Sequence, residues 1–479
     1  MLTTPLADLT DQLRQLLGTD SVLSTHSDLI VYECDGFVIE KNCPDVVVFP
    51  RTTQQVATVV KLCNQHEVPF LPRGAGTSLA GGCLPVGGGV MIVLTRMKEI
   101  VEINLRDRFA VVQPGVVNVW LTNALKGSGY HYAPDPSSQG ACTIGGNVAT
   151  NSGGPHTLKY GVTVNHTLGV EAVLADGSIV TMGGPAEDSP GLDLTGVVVG
   201  SEGTLAIVTK VWVRLTRDPQ GWRTMLGVFD SCDDATAAIS EIIGAGIVPA
   251  ALEMMDQGIL VAVEQAFQFG FPLDAQAILL IEVDGLEAGL DQQRERIIQL
   301  CMQCGAREVR QADTPKDRAL LWKARKQAFG AVGRLSPSYC TQDGVVPRTK
   351  LPHILRRITE IGQKYDIRIV NVFHAGDGNI HPILLFDERN AEQVQRVLRA
   401  SDEILEECLA CGGSVTGEHG IGVEKINFMS KLFSPDDLAA MERLRIAFNP
   451  TGRLSPQKML PTAGACGLEQ RHPGRKAAM

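Results

Sequence analysis

Ten histidines occur in this 479-residue chain, and three of them fall in two short segments rich in glycine. Phe373 to His381 reads FHAGDGNIH, so His374 and His381 flank a turn built from Gly376, Asp377, Gly378 and Asn379. A hairpin there brings both imidazoles to one side. Gly417 to Gly422 reads GEHGIG and sets Glu418 beside His419 in a loop that opens onto a possible helix. Two imidazoles and a carboxylate are the donor set of catalytic zinc, or of non-heme iron or manganese, and leave coordination positions open for a substrate. The bland alternative is that each histidine is a satisfied core or surface residue, since sequence alone does not bring the two segments together.

Glycine is abundant elsewhere too. The 50 glycines exceed by roughly 16 what an average usage of about 7% would supply. Gly74, Gly76, Gly81, Gly82, Gly87, Gly88 and Gly89 crowd into PRGAGTSLAGGCLPVGGG, directly after an expected strand. Such a loop lets backbone N–H groups approach a phosphate, with Arg73 adding charge and Thr77 and Ser78 adding hydroxyls. It has no Gly-Lys-Ser/Thr for a P-loop, and it fails GxGxxG because Leu79 stands where the last glycine would be. Taken alone, a structural turn is the better reading. Ala133 to Gly154 (APDPSSQGACTIGGNVATNSGG) adds a second loop, too polar for a core and nearly free of charge after Asp135, and Gly200 to Thr209 (GSEGTLAIVT) repeats the loop-into-strand theme. Three such loops suit a backbone laid against a flat polar ligand.

The elements that must carry these loops follow from periodicity. Val46 to Pro50, a helix opened by Thr52 and Gln55 with Val56, Val59, Val60 and Cys63 on one face, and Val68 to Pro72 form a βαβ unit. Strands follow at Val90 to Leu94 and Ala110 to Gln113, a helix near Val119 to Leu125, and a hairpin around Asp176-Gly177. From about Gly221, two βα-type units read as a split βαβ, ferredoxin-like sheet. Thr314 to Lys364 is helical at both ends and polar in the middle, Asp366 to Phe386 is two strands around a tight turn, and Glu392 to Leu409 is a helix.

Bulk properties narrow the class. Net charge is −10 with no Lys/Arg block, which argues against a nucleic-acid partner or a polybasic membrane anchor. Met1 to Gly18 reads as an amphipathic helix rather than a secretory signal, and no apolar run reaches the roughly 18 residues of a membrane span. Twelve scattered cysteines suit reduced thiols in a cytoplasm. The CxxC pairs Cys301/Cys304 and Cys408/Cys411 close amphipathic helices ahead of Gly305 and Gly412, so a packing role outweighs zinc there.

The three glycine-rich segments resemble the flavin-binding domain of the vanillyl-alcohol oxidase / p-cresol methylhydroxylase (PCMH) family. HAGDGNIHP and GEHGIG resemble the signatures of its FAD-linked D-2-hydroxy acid dehydrogenases, a group spanning glycolate oxidase subunits, D-lactate dehydrogenases and D-2-hydroxyglutarate dehydrogenases. The similarity runs from about Tyr32 to Pro461, and PDPSSQ, LEMMD and GEHGIGVEKIN most resemble the bacterial glycolate oxidase branch. The resemblance implies an α+β fold with a two-part PCMH-type FAD-binding domain over 1–218 (core about 41–218), a ferredoxin-like cap or substrate domain over 219–410, a helical C-terminal segment over 411–465 returning to the flavin site, and a disordered tail over 466–479. It implies that Arg73, Gly74, Ala75, Gly76, Thr77 and Ser78 hold the FAD pyrophosphate. Pro134, Asp135, Ser138, Gly145, Gly146 and Asn147 would line the flavin, with Gly203 and Ile207 around the rest. No histidine lies in the first loop, so non-covalent FAD is expected. By the same resemblance His374, His381 and Glu418 hold a divalent metal (zinc, or manganese or iron), His419 is the base, and Arg325 clamps the substrate carboxylate with Asn379 and Lys425 nearby. Ser455 replaces an asparagine that lies near the flavin in relatives.

The function implied is oxidation of a small D-2-hydroxy acid, glycolate before D-lactate, because SYCTQD (Ser338 to Asp343) offers no lysine or arginine for a second carboxylate. Alternatives are a D-2-hydroxyglutarate dehydrogenase, a non-heme metal oxygenase without flavin, and a non-catalytic flavin subunit. No cysteine spacing fits an iron-sulfur cluster. The resemblance to multi-subunit glycolate oxidases implies that electrons would leave through an iron-sulfur subunit and a second flavin subunit toward quinone, with oxygen or another acceptor as the alternative. The expected location is the cytoplasm, or the inner membrane surface through partners.

Overall fold

A computed structural model of the chain describes residues 4–186 and 190–461; the tail expected over 466–479 lies outside them. The chain divides into two compact units, Met1–Gly153 with Val162–Arg217 and Glu418–Met479, and Gly154–Gly161 with Asp218–Gly417.

The first unit holds two sheets. In one, Val22–Leu23, Val46–Val48, Val90–Val93 and Phe70–Arg73 lie in that order, the last three parallel. Val46–Val48 is buried throughout, as a covered parallel strand requires. Thr52 Oγ1 accepts the Gln55 N–H at 3.2 Å while Gln55 Oε1 accepts the Arg51 N–H at 2.7 Å. These bonds start helix Thr53–Gln65, whose Val56, Val59, Val60 and Cys63 pack with Leu9 and Leu13 of helix Thr4–Leu17. The βαβ reading holds, with Val90–Val93 seated between its two strands. The other sheet is antiparallel, ordered Ile100–Asn104, Phe109–Val112, Ala206–Arg214, Thr167–Leu174 and Ile179–Gly183. Its edge strand Ile100–Asn104 has no buried position, so no in–out alternation marks it in the sequence.

In the second unit, Gly221–Phe229, Ala251–Asp256, Ala277–Gly285 and Ala306–Gln311, with helices Cys232–Gly244 and Leu290–Gln303, build the expected ferredoxin-like sheet. The sheet continues beyond it. Arg368–Phe373 pairs with Ala251–Asp256, then come Pro382–Phe386 and Ser338–Thr341, making seven strands. The last of these corrects the reading of that stretch as merely polar: an edge strand of four residues leaves too short a trace to see. Cys301 and Cys408 are buried at helix ends, Gly305 and Gly412 have φ of +89° and +79°, and the described cysteines form no disulfide with one another.

Gly154–Gly161 joins the second unit through side chains. Lys159 Nζ donates to the Asp284 carbonyl at 2.5 Å, Tyr160 OH to Asp284 Oδ2 at 2.7 Å, and His156 stacks on Trp322 with centroids 5.0 Å apart. Among the described residues no helix is long and apolar enough to cross a membrane.

Candidate functional site

Within the first unit the three glycine-rich loops touch one another. A Cβ on Gly74 would lie 2.5 Å from Thr143 Oγ1, and one on Gly203 (φ +68°) 2.6 Å from Pro72 Cγ. Glu202 N–H donates to the Ala149 carbonyl and Gly200 N–H to the Val148 carbonyl, both at 2.8 Å. The Arg73 guanidinium is buried and turns back onto the Cys34 carbonyl at 2.9 Å, over Gly76, where any side chain would collide with it. Ala75 is exposed and Thr77 half-buried. Ser78 gives its carbonyl to the Gly36 N–H at 2.8 Å, while its hydroxyl is buried with no partner among the described residues. In the second loop Asn118 Nδ2 donates to the Pro134 carbonyl at 3.0 Å and to Asn147 Oδ1 at 3.1 Å. Asp135 is half-buried, Ser138 is exposed, and Gly145 and Gly146 open helix Ile144–Thr150 behind its Thr143 cap. The Ile207 side chain is fully buried with Phe70, Val173 and Leu454, so it faces the core and only its backbone is left for a ligand.

This arrangement fits FAD. Glycines stand where a Cβ would strike the adjoining loop, so the backbones pack closely and leave N–H groups for a pyrophosphate. An orphaned buried hydroxyl at Ser78 is a donor waiting for an acceptor.

From Glu418 on, the GEHGIG segment belongs to this unit and packs on the first loop. Val423 N–H donates to the Ala80 carbonyl at 3.0 Å, and Glu202 accepts the N–H groups of Ile421 and Gly422 at 2.7 Å each. Glu418 opens the segment, and His419 Nε2 lies 3.9 Å from Glu418 Oε1. The Glu418 charge reaches Cys142, whose thiol is raised first by burial and then by that carboxylate. Lys425 is fully buried.

The second unit assembles the remaining candidates. Arg368–Phe373 and Pro382–Phe386 run antiparallel around a turn with Gly378 at φ +81°, and the rings of His374 and His381 meet edge to face, 5.1 Å apart. Both are buried, at 4% and 1% exposure. His374 Nδ1 lies 2.9 Å from both oxygens of Glu253, which leaves Nε2 as its outward nitrogen. Arg325 Nη2 pairs with Glu253 Oε2 at 2.6 Å. Burial opposes ionisation of Glu253, but His374 and Arg325 outweigh it and hold the carboxyl below its usual value. Arg325 is itself 0% exposed, yet its Nε and Nη1 find no hydrogen-bond partner among the described residues. Asn379 is buried beside Gly417, and Asp343 Oδ2 accepts both the Thr416 hydroxyl (2.6 Å) and the Gly417 N–H (2.9 Å). Glu253 and Asp343 were missed by the sequence reading. The signal for Glu253 was a lone carboxylate inside an apolar strand, LEMMD, where an acid survives only with buried partners.

Comparison with known proteins accords with both halves. A model described as "FAD binding domain" matches residues 44–183, and "FAD linked oxidases, C-terminal domain" matches 218–459. Glycolate oxidase subunit GlcD of Escherichia coli (strain K12) is 45% identical over 95% of this chain and 91% of its own length. The GlcD subunit of Bacillus subtilis (strain 168) is 40% identical over 94% and 96%, and D-lactate dehydrogenase of Anaerostipes hadrus is 31% identical over 91% and 92%. Among solved structures, p-cresol methylhydroxylase with substrate bound has a TM-score of 0.81 at 18% identity, covering 98% of each chain. That likeness shows the fold. The chain belongs to the FAD-linked oxidases and has the two-part fold of p-cresol methylhydroxylase.

Proposed function

We propose that the protein oxidises a small D-2-hydroxy acid at its α-carbon, glycolate to glyoxylate first and D-lactate to pyruvate second. The observation that carries this reading is Arg325, a fully buried guanidinium with two nitrogens unfilled beside the Glu253–His374 pair. A buried fork of open donors is suited to a carboxylate, held in one orientation. Similarity to glycolate oxidase subunits and to a D-lactate dehydrogenase supports the same substrate class.

FAD held by Arg73 to Ser78, Pro134 to Asn147 and Gly203 supplies the hydride acceptor. His374, His381 and Glu418 would hold a divalent metal, zinc with manganese and iron as alternatives, which supplies Lewis acidity toward the substrate hydroxyl. Glu253 fixes the His374 ring so that Nε2 is offered as the ligand atom. Arg325 holds the carboxylate and sets the approach of the α-carbon, with Asn379 and Lys425 as further polar contacts. His419 takes the hydroxyl proton near neutral pH. Ser338 to Asp343 brings no cation for a second carboxylate, which ranks D-2-hydroxyglutarate below the smaller acids. Relatives described as subunits support electron exit through an iron-sulfur subunit and a second flavin subunit toward quinone, with the protein cytoplasmic or peripheral on the inner membrane through them.

Anaerobic mixing with glycolate, D-lactate or D-2-hydroxyglutarate, following the flavin's visible band with metal analysis of the same sample, tests this reading. Bleaching by the first two at stoichiometric metal is expected; bleaching by D-2-hydroxyglutarate alone would overturn the substrate ranking. His419→Ala is expected to lower turnover about a hundredfold or more with FAD retained, and near-normal turnover would remove His419 from the chemistry.

A further inference from the structure

Residues Leu454 to Met459 of the first unit form an unusual stretch of backbone. Ser455, Gln457 and Met459, none of them glycine, have φ of +45°, +58° and +65°. Each such residue is strained and persists only where its surroundings dictate it. Here they do: Arg445 donates to the carbonyls of Lys458 (2.9 Å) and Ser455 (3.1 Å), Asn449 to that of Leu454 (2.8 Å), and Ser455 Oγ to that of Gly203 (2.8 Å).

What the strained backbone delivers is Lys458. Its side chain is 1% exposed, and among the described residues its ammonium makes one hydrogen bond, to the Gly82 carbonyl at 2.7 Å. An ammonium carries three donors, so two are unfilled in a place that water scarcely reaches. Cys83, Asp35, Glu202 and Arg73 are the titratable groups that act on it most strongly among the described residues. The two carboxylates are already committed: Asp35 accepts the Phe37 N–H at 2.9 Å, and Glu202 the N–H groups of Ile421 and Gly422. Burial pushes the Lys458 ammonium down to about 8 against the pull of Cys83, Asp35 and Glu202. A Cβ on Gly82 would lie 3.3 Å from the unpartnered Ser78 hydroxyl, so the spare donors of Lys458 and the orphaned Ser78 hydroxyl lie around the same glycine of the FAD loop.

We propose that Lys458 is a cofactor-holding residue whose buried ammonium donates to an oxygen of bound FAD. Two incomplete donors beside one glycine are completed together by one acceptor-rich ligand. The strain in Leu454 to Met459 is explained as the means of reaching that position from the C-terminal side. The inference rests on FAD binding by this unit, and retention of FAD by the wild type checks that premise separately.

The test compares FAD affinity of wild-type, Lys458→Met and Lys458→Arg apoproteins, with reduction potentials of the loaded proteins. Lys458→Met is expected to weaken FAD binding about tenfold or more, the loss of one charge-assisted hydrogen bond, and Lys458→Arg to restore part of it. A lower potential in Lys458→Met places the contact at the flavin ring, where charge develops on reduction; weakened affinity at an unchanged potential places it at the pyrophosphate. A folded Lys458→Met protein with wild-type affinity and potential would overturn the proposal. Should neither variant fold, hydrogen exchange of the wild type decides. Slower exchange in residues 454–460 on adding FAD, beyond any change in helix Thr4–Leu17, supports the contact, and equal changes in both would overturn it.

Discussion

Glu282 and Glu253 sit on neighbouring strands of one sheet, each 1% exposed, and both draw partners from the same helix, Pro315–Val332. Their surroundings differ in completeness. Glu282 accepts Arg318 Nε and Nη2 at 2.7 and 2.6 Å, Trp322 Nε1 at 2.8 Å and the Thr224 hydroxyl, with His156 Nε2 at 3.7 Å. Around Glu253 the charges are paired, but Arg325, about two turns of the helix beyond Arg318, keeps two nitrogens unfilled among the described residues. A buried polar cluster whose bonds are all made holds structure together; one that leaves donors open inside the protein waits for a ligand. Glu282 therefore anchors the Gly154–Gly161 excursion, and Glu253 with Arg325 is the pair that the proposed function assigns to the reaction.

Exchanging arginine for lysine at the two positions is the sharpest way to break that contrast. Arg325→Lys should lower kcat/KM about a thousandfold, because lysine cannot offer the planar fork, while Arg318→Lys should leave kcat/KM within about twofold and instead lower the melting temperature. Similar activity losses in both variants would erase the distinction.

The next effect is on stability. Glu282→Gln should destabilise the protein by about 3 kcal/mol near neutral pH, since it breaks a buried ion pair. Burial alone would raise the Glu282 pKa, yet bonds from His156, Arg318 and Thr224 hold it far below the ordinary value of 4.5. A depressed folded-state pKa gives stability that is present above the unfolded value and lost as pH falls toward the folded one. The gap between wild type and variant should therefore narrow below about pH 4.5, as urea melts across that range would show. A gap that widens in acid would mean the carboxylate is not paired as described.

The smallest expected change in activity or binding is at Glu253. Glu253→Gln keeps the shape but weakens the hold on His374, so metal affinity should fall about 10- to 100-fold in a metal titration, with FAD content unchanged. Unaltered metal affinity would detach Glu253 from the histidine site.

Much of this was legible before any coordinates. The glycine loops, the His374 to His381 hairpin and the ferredoxin-like order were readable because each is written in local spacing: turns demand glycine, and strands and helices repeat at two and 3.6 residues. The strands Ile100–Asn104 and Ser338–Thr341 were not, because edge strands bury little and show no alternation. Ile207 was read toward the cofactor, although its side chain belongs to the core behind the loop. Glu253 and Lys458 escaped for another reason: their partners lie 121 and 376 residues away in the chain, and no local pattern records such distances.

The sequence by itself determined which backbones would be glycine-rich, which histidines would share a hairpin and which family of flavoproteins the chain would join, all properties of residue type at short range. Only the tertiary structure decided which buried charges are complete and which are open. Whether Glu282 is fully partnered and Arg325 is not, or whether Lys458 has donors to spare, depends on how many polar atoms the fold brings within about 3 Å, a count that no stretch of sequence contains.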